Sequence, residues 1–220
     1  MITAQEALEC LREGNRRFVS GTRSHDVLPN HSRRAELAKT QHPFAIVLGC
    51  SDSRVPVEIV FDQGLGDLFV IRVAGNIVAP SQLGSVEFAA ERYGTRLVIV
   101  LGHAQCGAIQ ATLEELQQPP ENQSRNMRSL VERVRPAVEG LLRTELRHDI
   151  DKLMRTAVRA NVDISVNNLR YGSPVLEQLI ADDGLLIVGA EYSLETGEVE
   201  FFDRGASWQH RGESSTPSLF

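Results

Sequence analysis

Two uninterrupted apolar runs, Phe44-Ala45-Ile46-Val47-Leu48 and Leu97-Val98-Ile99-Val100-Leu101, constrain this chain more than anything else in it. A run without polar alternation belongs to a strand buried on both faces, the situation of parallel sheets covered by helices. Both runs are far shorter than the ~20 residues of a membrane span. A similar run at residues 68–73 lies between them, and shorter ones follow at 185–188 and 199–202. Helical patterns separate these runs. Residues 85–93 end at Gly94, and residues 127–168 are mostly helical with interleaved charges. Ser173 caps a further helix, with Pro174 at its first position. Strands alternating with helices predict an α/β fold with a mainly parallel central β-sheet flanked by helices.

An N-terminal helical arm precedes that core. Thr3-Ala4-Gln5-Glu6 reads as a capping box, Ala4, Ala7, Leu8, Leu11 and Phe18 keep helical spacing, and Gly21 is the stop. A polar stretch follows to about His31, then a short helix over residues 32–40. The length of 220 residues corresponds to one large domain at ~150 residues per domain. Its parts are an arm over 1–40, an α/β core over 41–203 and a mobile tail over 204–220, where periodicity gives way to Ser, Gly and Pro. Residues 117–122 read as a loop. Acidic residues outnumber basic ones 29 to 23, a net charge of −6, which argues against nucleic acid as a partner. With no apolar signal region at the start, no membrane partner is expected and the location is expected to be cytoplasmic.

Three cysteines in such a chain are expected to be thiols. Cys10 lies in the helical arm and reads as a core thiol. Cys50 and Cys106 differ, because each follows a β-like run. Cys50-Ser51-Asp52-Ser53-Arg54 succeeds the first apolar strand, and His103-Ala104-Gln105-Cys106-Gly107 succeeds the third strand. Ligands of open α/β sheets gather outside the carboxyl ends of strands, near a switch in strand order. Two thiols and one imidazole brought together there make a Cys2His set with one position open, the arrangement of catalytic rather than structural zinc. Asp52 and Arg54, taken alone, would close a turn as an ion pair. Gly49, Gly102 and Gly107 flank the ligand candidates, where backbone passes close to a site.

Other chemistries fail on spacing. Cys50 and Arg54 are too close for a phosphatase loop. Phe69 occupies the third glycine place of a dinucleotide fingerprint after Gly64 and Gly66, and neither Lys39 nor Lys152 follows a phosphate-binding loop. The remaining histidines, His25, His31, His42, His148 and His210, read as surface or loop residues.

Cys-x-Asp-x-Arg, followed about fifty residues later by His-x-x-Cys, resembles the β-class carbonic anhydrases. The likeness runs from the N-terminal helix to the last strand and takes in residues 61–72 and Val188-Gly189-Ala190-Glu191-Tyr192. It implies one Zn2+ per chain, held by Cys50, His103 and Cys106, with Asp52 and Arg54 as the adjacent catalytic dyad. Gln41 and the backbone amide of Gly107 match substrate-contacting positions, and Phe69 matches an aromatic contributed to the neighbouring subunit's pocket. Phe88 stands where plant members often place Tyr. Val47 stands where a bicarbonate-gated group carries Trp, beside the arginine matched by Arg72. The resemblance further implies a homodimer or higher even-numbered homo-oligomer, with the helical arm packed on a neighbour.

The activity implied is reversible hydration of carbon dioxide to bicarbonate and a proton by a zinc-bound hydroxide. Zinc lowers the pKa of bound water from about 15.7 towards about 7. Asp52 would accept the hydroxide's hydrogen bond, and Arg54 would keep Asp52 ionised and oriented. A small pocket of Phe69, Phe88 and Val57 would suit uncharged carbon dioxide, while Gln41 and the Gly107 amide hold bicarbonate oxygens. Three other readings use the same residues. One is hydrolysis of carbon disulfide or carbonyl sulfide on the same scaffold. Another is a redox module in which Cys50 and Cys106 form a reversible disulfide, which leaves His103, Asp52 and Arg54 without a task. The last is a zinc-binding protein closed by Asp52 as fourth ligand.

Overall fold

The computed structural model describes residues 2–22, 31–117 and 124–202. The expected loop beyond Gln117, the tail over 204–220, His25 and His210 lie outside them. The elements are α1 (Ala4–Ser20), α2 (His31–Leu37), β1 (Ala45–Gly49), α3 (Val57–Val60), β2 (Leu68–Arg72), a 3-10 turn (Ala74–Asn76), α4 (Pro80–Arg92) and β3 (Leu97–His103). There follow α5 (Gly107–Gln117), α6 (Arg125–Val138), two short 3-10 segments, α7 (Ile150–Tyr171), α8 (Pro174–Asp182), β4 (Leu186–Tyr192) and β5 (Val199–Phe201). Among the described residues no helix is long and apolar enough to cross a membrane.

The strands form one sheet in the order β2-β1-β3-β4-β5. The first four run parallel, and β5 is antiparallel to β4. The unbroken apolar runs follow from what covers the two faces. Ala45 and Val47 of β1, with Leu97, Ile99 and Leu101 of β3, pack among Leu8, Leu11 and Phe61 on one face. Ile46 and Leu48, with Val98 and Val100, pack among Val86, Ala89, Val166 and Leu169 on the other. Alternate side chains of one strand thus enter two cores, so no position is left for a polar residue.

The chain leaves β1 for the edge strand β2 and then crosses back to β3 on the other side of β1. That reversal opens a crevice at the carboxyl ends of β1 and β3. Both chemical motifs emerge there.

The arm starts and stops as predicted. Glu6 N–H donates to the Thr3 hydroxyl at 3.2 Å, the Thr3 N–H donates to the Glu6 carboxylate at 2.7 Å, and Gly21 ends α1 at φ 71°. The left-handed region at that φ favours glycine. Cys10 departs from expectation: it is exposed. The buried stripe of α1 comprises Ala4, Ala7, Leu8, Leu11, Gly14 and Asn15, and position 10 falls off that stripe at 3.6 residues per turn. Gly14 lets α1 close onto the end of α3, since a Cβ there would sit 1.8 Å from the Phe61 carbonyl oxygen.

Some boundaries move. α4 begins at Pro80 rather than residue 85, because proline at the first helical position pre-sets φ where no N–H partner is needed. α2 ends at Leu37, and β3 continues through His103, one of the ligand candidates.

Candidate active site

β1 and β3 bring three ligand candidates to one point. Cys50 directly follows Gly49, His103 is the last residue of β3, and Cys106 immediately precedes α5. The turn between His103 and Cys106 holds Gln105 in the left-handed region at φ 54°. One ligand atom from each of Cys50, His103 and Cys106 lies within 4.8 Å of the others, and all three residues are buried.

The donor chemistry fits zinc. The two Sγ atoms are 3.9 Å apart, close to the ~3.8 Å separation of two thiolates on a tetrahedral ion at ~2.3 Å each. A disulfide needs ~2.05 Å, and both cysteines are free. His103 Nδ1 lies 2.9 Å from the Ala104 carbonyl oxygen. A carbonyl can only accept, so Nδ1 carries the proton and donates, leaving Nε2 with its lone pair free. Nε2 is buried and has no hydrogen-bond partner among the described residues, a cost that a metal ion would remove.

The two thiols titrate as a pair. The hydrogen bond from Cys106 holds the Cys50 thiol down to about 4, with help from the Gly75 N–H. Giving that bond, together with burial, pushes the Cys106 thiol far up.

Asp52 and Arg54 form the dyad beside the cluster. The Arg54 backbone N–H and Nε donate to Asp52 Oδ1 at 2.9 Å each, and Nη2 donates to Oδ2 at 2.7 Å. This grip holds the Asp52 carboxyl well below the usual carboxylate range. Arg54 Nη2 also reaches the Gln105 carbonyl oxygen at 3.4 Å, joining the two loops. Asp52 Oδ2 stays 3.8 Å from His103 Nε2. Both carboxylate oxygens are thus engaged by Arg54, and among the described residues the cluster joins Cys50, His103 and Cys106.

Arg72, noted in the sequence only for its match to an anion site, braces this loop. Its Nε donates to the Cys50 carbonyl oxygen at 2.9 Å and its Nη2 to the Asp52 carbonyl oxygen at 2.6 Å. Gly107 begins α5 directly after Cys106, beside the cluster. Of the three flanking glycines, only Gly102 is needed for a close approach, since its Cβ would lie 2.6 Å from Val162 Cγ2. A Cβ on Gly49 would make an ordinary contact with Val57, and one on Gly107 would meet nothing within 4 Å.

Gln41, Phe69 and Phe88 lie elsewhere. Gln41 precedes β1, and its Nε2 donates to the Tyr93 hydroxyl at 2.9 Å. Phe69, Phe88 and Tyr93 form a ring cluster with centroids 5.7–6.3 Å apart. Phe69 pairs with Ile46 early in β1, and Tyr93 precedes β3. All four sit at the amino edge of the sheet, whereas Cys50 sits at its carboxyl edge. The intervening five residues of β1 span about 16 Å at ~3.3 Å per residue. Phe69 and Phe88 therefore lie away from this chain's own Cys50, His103 and Cys106. Val57 is fully buried in the core, while Phe88 is 51% exposed. Tyr93 was missed in the sequence because a lone tyrosine after a helix has no motif. His42 and His148 are exposed, as expected.

Comparison with known proteins agrees with this geometry. The sequence model of the carbonic anhydrase family matches residues 45–199. The chain is 40% identical over 201 residues to a carbonic anhydrase of Mycolicibacterium smegmatis, covering 88% of this chain and 91% of that one. It is 39% identical to carbonic anhydrase 2 of Mycobacterium tuberculosis, covering 90% and 92%. In structure it resembles the β-carbonic anhydrase CafA of Aspergillus fumigatus with a TM-score of 0.70, 26% identity, and coverage of 78% and 81%. With both motifs assembled at the β1/β3 crevice and these likenesses spanning most of its length, the chain belongs to the β-class carbonic anhydrase family.

Proposed function

We propose that this carbonic anhydrase is a zinc enzyme that hydrates carbon dioxide reversibly to bicarbonate and a proton, with Cys50, His103 and Cys106 as the metal ligands. The observation that carries the proposal is the buried cluster of two thiols and one free imidazole nitrogen beside a carboxylate already committed to arginine. A zinc ion held there would supply Lewis acidity, which makes bound water a nucleophile at a pH far below water's own pKa.

The chain's own residues do the rest. Asp52 is ionised and acceptor-only, so it takes a hydrogen bond from the attacking oxygen and directs that oxygen's lone pair at the carbon. Arg54 fixes the carboxylate by two parallel bonds, which sets its plane and keeps it from moving onto the metal. The Gly107 amide opens α5, where N–H groups have no partner inside the helix, and it serves as a donor to a bicarbonate oxygen as charge develops.

Gln41, Phe69 and Phe88 act in a second copy of the chain. Their position at the far edge of the sheet supports an even-numbered homo-oligomer, in which one chain's amino-edge residues wall the neighbour's site. The domain is read as a single unit; its first helix, expected on a neighbour, packs on its own chain through Leu8, Leu11 and Asn15.

The test pairs metal analysis with stopped-flow hydration on one purified sample. One zinc per chain and carbon dioxide turnover are expected, with Cys50→Ser and Cys106→Ser each losing the metal because a hydroxyl is a far poorer ligand than a thiolate. Full zinc retention in both variants refutes the ligand set. Hydrolysis of carbon disulfide or carbonyl sulfide in place of hydration would reassign the substrate.

A further inference from the structure

The 3-10 turn Ala74–Asn76 touches the cluster directly. The Gly75 N–H donates to Cys50 Sγ at 3.4 Å, inside the protein. The turn is an unfavourable one. Gly75 is at φ 70° and Asn76 at φ 41°, so two successive residues are left-handed and the second is not glycine. Such a conformation persists only where surrounding contacts over-determine it.

The contacts come from α7. Asn161 Nδ2 donates to the Gly75 carbonyl oxygen at 2.8 Å, and Ser165 Oγ donates to the Asn76 carbonyl oxygen at 3.0 Å. The two residues are four apart, on one face of the helix, and are 1% and 2% exposed. α7 can come this close because Gly102 and Gly189 have no Cβ: one would lie 2.6 Å or 2.8 Å from the Val162 methyl groups. Asn161 is retained at a cost. Its Oδ1 is buried with no hydrogen-bond partner among the described residues, so its donor is what the position uses.

We propose that Asn161 and Ser165 are positioning residues for the metal site, holding the 74–76 turn so that the Gly75 N–H stays on Cys50 Sγ. That hydrogen bond orients the sulfur and draws charge from it, and outer partners of this kind set how tightly a site binds and how strongly its ligands donate. The inference rests on the zinc site proposed above.

The test measures zinc affinity by chelator competition and the sulfur-to-metal charge-transfer band of the cobalt(II)-substituted protein. Ser165→Val and Ser165→Thr have the same branched shape and differ by the hydroxyl. Ser165→Val and Asn161→Leu are expected to weaken zinc binding roughly 10- to 100-fold. Both should move the band to lower energy, since a sulfur without its N–H partner is more electron-rich. Ser165→Thr is expected to keep both properties near wild type. Leu169→Ala, a buried packing change on the same helix, is expected to lower stability and leave both unchanged.

If Asn161→Leu does not fold, the Ser165 pair decides. Unchanged affinity and band position in Ser165→Val overturns the inference alone, as does an equal loss in Ser165→Val, Ser165→Thr and Leu169→Ala. A wild-type chain that takes up no zinc overturns the inference together with the zinc site. Zinc uptake abolished by Cys50→Ser keeps the two apart.

Discussion

Arg54 grips both carboxylate oxygens of Asp52, at 2.9 Å and 2.7 Å, and adds its own backbone N–H to the first. Held this way, Asp52 Oδ2 lies 3.8 Å from His103 Nε2. Removing the guanidinium frees Asp52 to turn and leaves the attacking oxygen without a fixed acceptor. Arg54→Ala is expected to lower hydration turnover about 100-fold, the usual loss for one preorganised hydrogen-bonding group, with zinc content unchanged. Wild-type turnover in this variant would show the dyad to be idle.

The same pair sets a pH dependence of stability. Arg54 holds the Asp52 carboxyl below its ordinary range, so the ionised pair contributes stability above the unfolded-chain value of about 3.9. That contribution disappears as pH falls through the lower folded value. Arg54→Ala brings the folded value back towards the unfolded one, so acid unfolding should begin at higher pH in the variant. Acid titrations followed by circular dichroism compare the two. Coincident curves would mean that the pair carries no net stability.

Gln41 and Tyr93 meet at the amino edge of the sheet, about 16 Å along β1 from Cys50 at ~3.3 Å per residue. If they wall a neighbour's site, two inactive chains can complement each other. A Gln41→Ala chain keeps its ligands, and a Cys50→Ser chain keeps its Gln41, so a mixed dimer holds one complete site. Unfolding and refolding the two together is expected to restore activity that neither has alone. No recovery in mixed oligomers confirmed by mass spectrometry would place Gln41 in its own chain's chemistry.

Much of this arrangement was readable in the residues because each feature had a local cause. Unbroken apolar runs mean two covered faces, and residues placed just after such runs in an open α/β sheet fall in one crevice. Thr3 and Gly21 mark the arm because caps are made by neighbours in sequence. What escaped was set by contacts distant in sequence. Asn161 reaches Gly75 across 86 positions, and nothing near either residue announces it. Cys10 misled for the opposite reason: helical spacing alone does not say where a stripe ends. The contact of Phe69 with Phe88 and Tyr93 at the amino edge is of the same kind as that of Asn161, made between a strand, a helix and a loop far apart in sequence.

Asn15 ties the arm to the last strand. Its Nδ2 donates to the carbonyl oxygens of Val60 and Gly197, at 3.1 Å and 2.9 Å, and its Oδ1 accepts from the Val199 N–H at 2.9 Å. The residue is 6% exposed. Asn15→Ala leaves these backbone groups unpaired, each at a cost of about 1 kcal/mol or more. A loss of about 3 kcal/mol in chemical denaturation is expected. A loss below about 1 kcal/mol would mean that water replaces all three bonds.

The ligand charges predict how activity depends on pH. Two thiolates and a neutral imidazole cancel the double charge of zinc, whereas a site of three neutral histidines keeps it and brings bound water near pKa ~7. Thiolate donation weakens the pull on water, so the nucleophile should form at higher pH here. With zinc bound as proposed, the Gly75 N–H on Cys50 would withdraw some of that donation and the Arg54 bond would restrain Asp52, but neither would restore a full charge to the ion. Hydration is therefore expected to be slow near neutral pH and to rise on the alkaline side. Asp52, held ionised by Arg54, does not change state over this range, so the rise should follow one titration. Stopped-flow rates from pH 6 to 9.5 at constant ionic strength measure it, and a profile flat across that range would show that the two thiolates do not control the nucleophile.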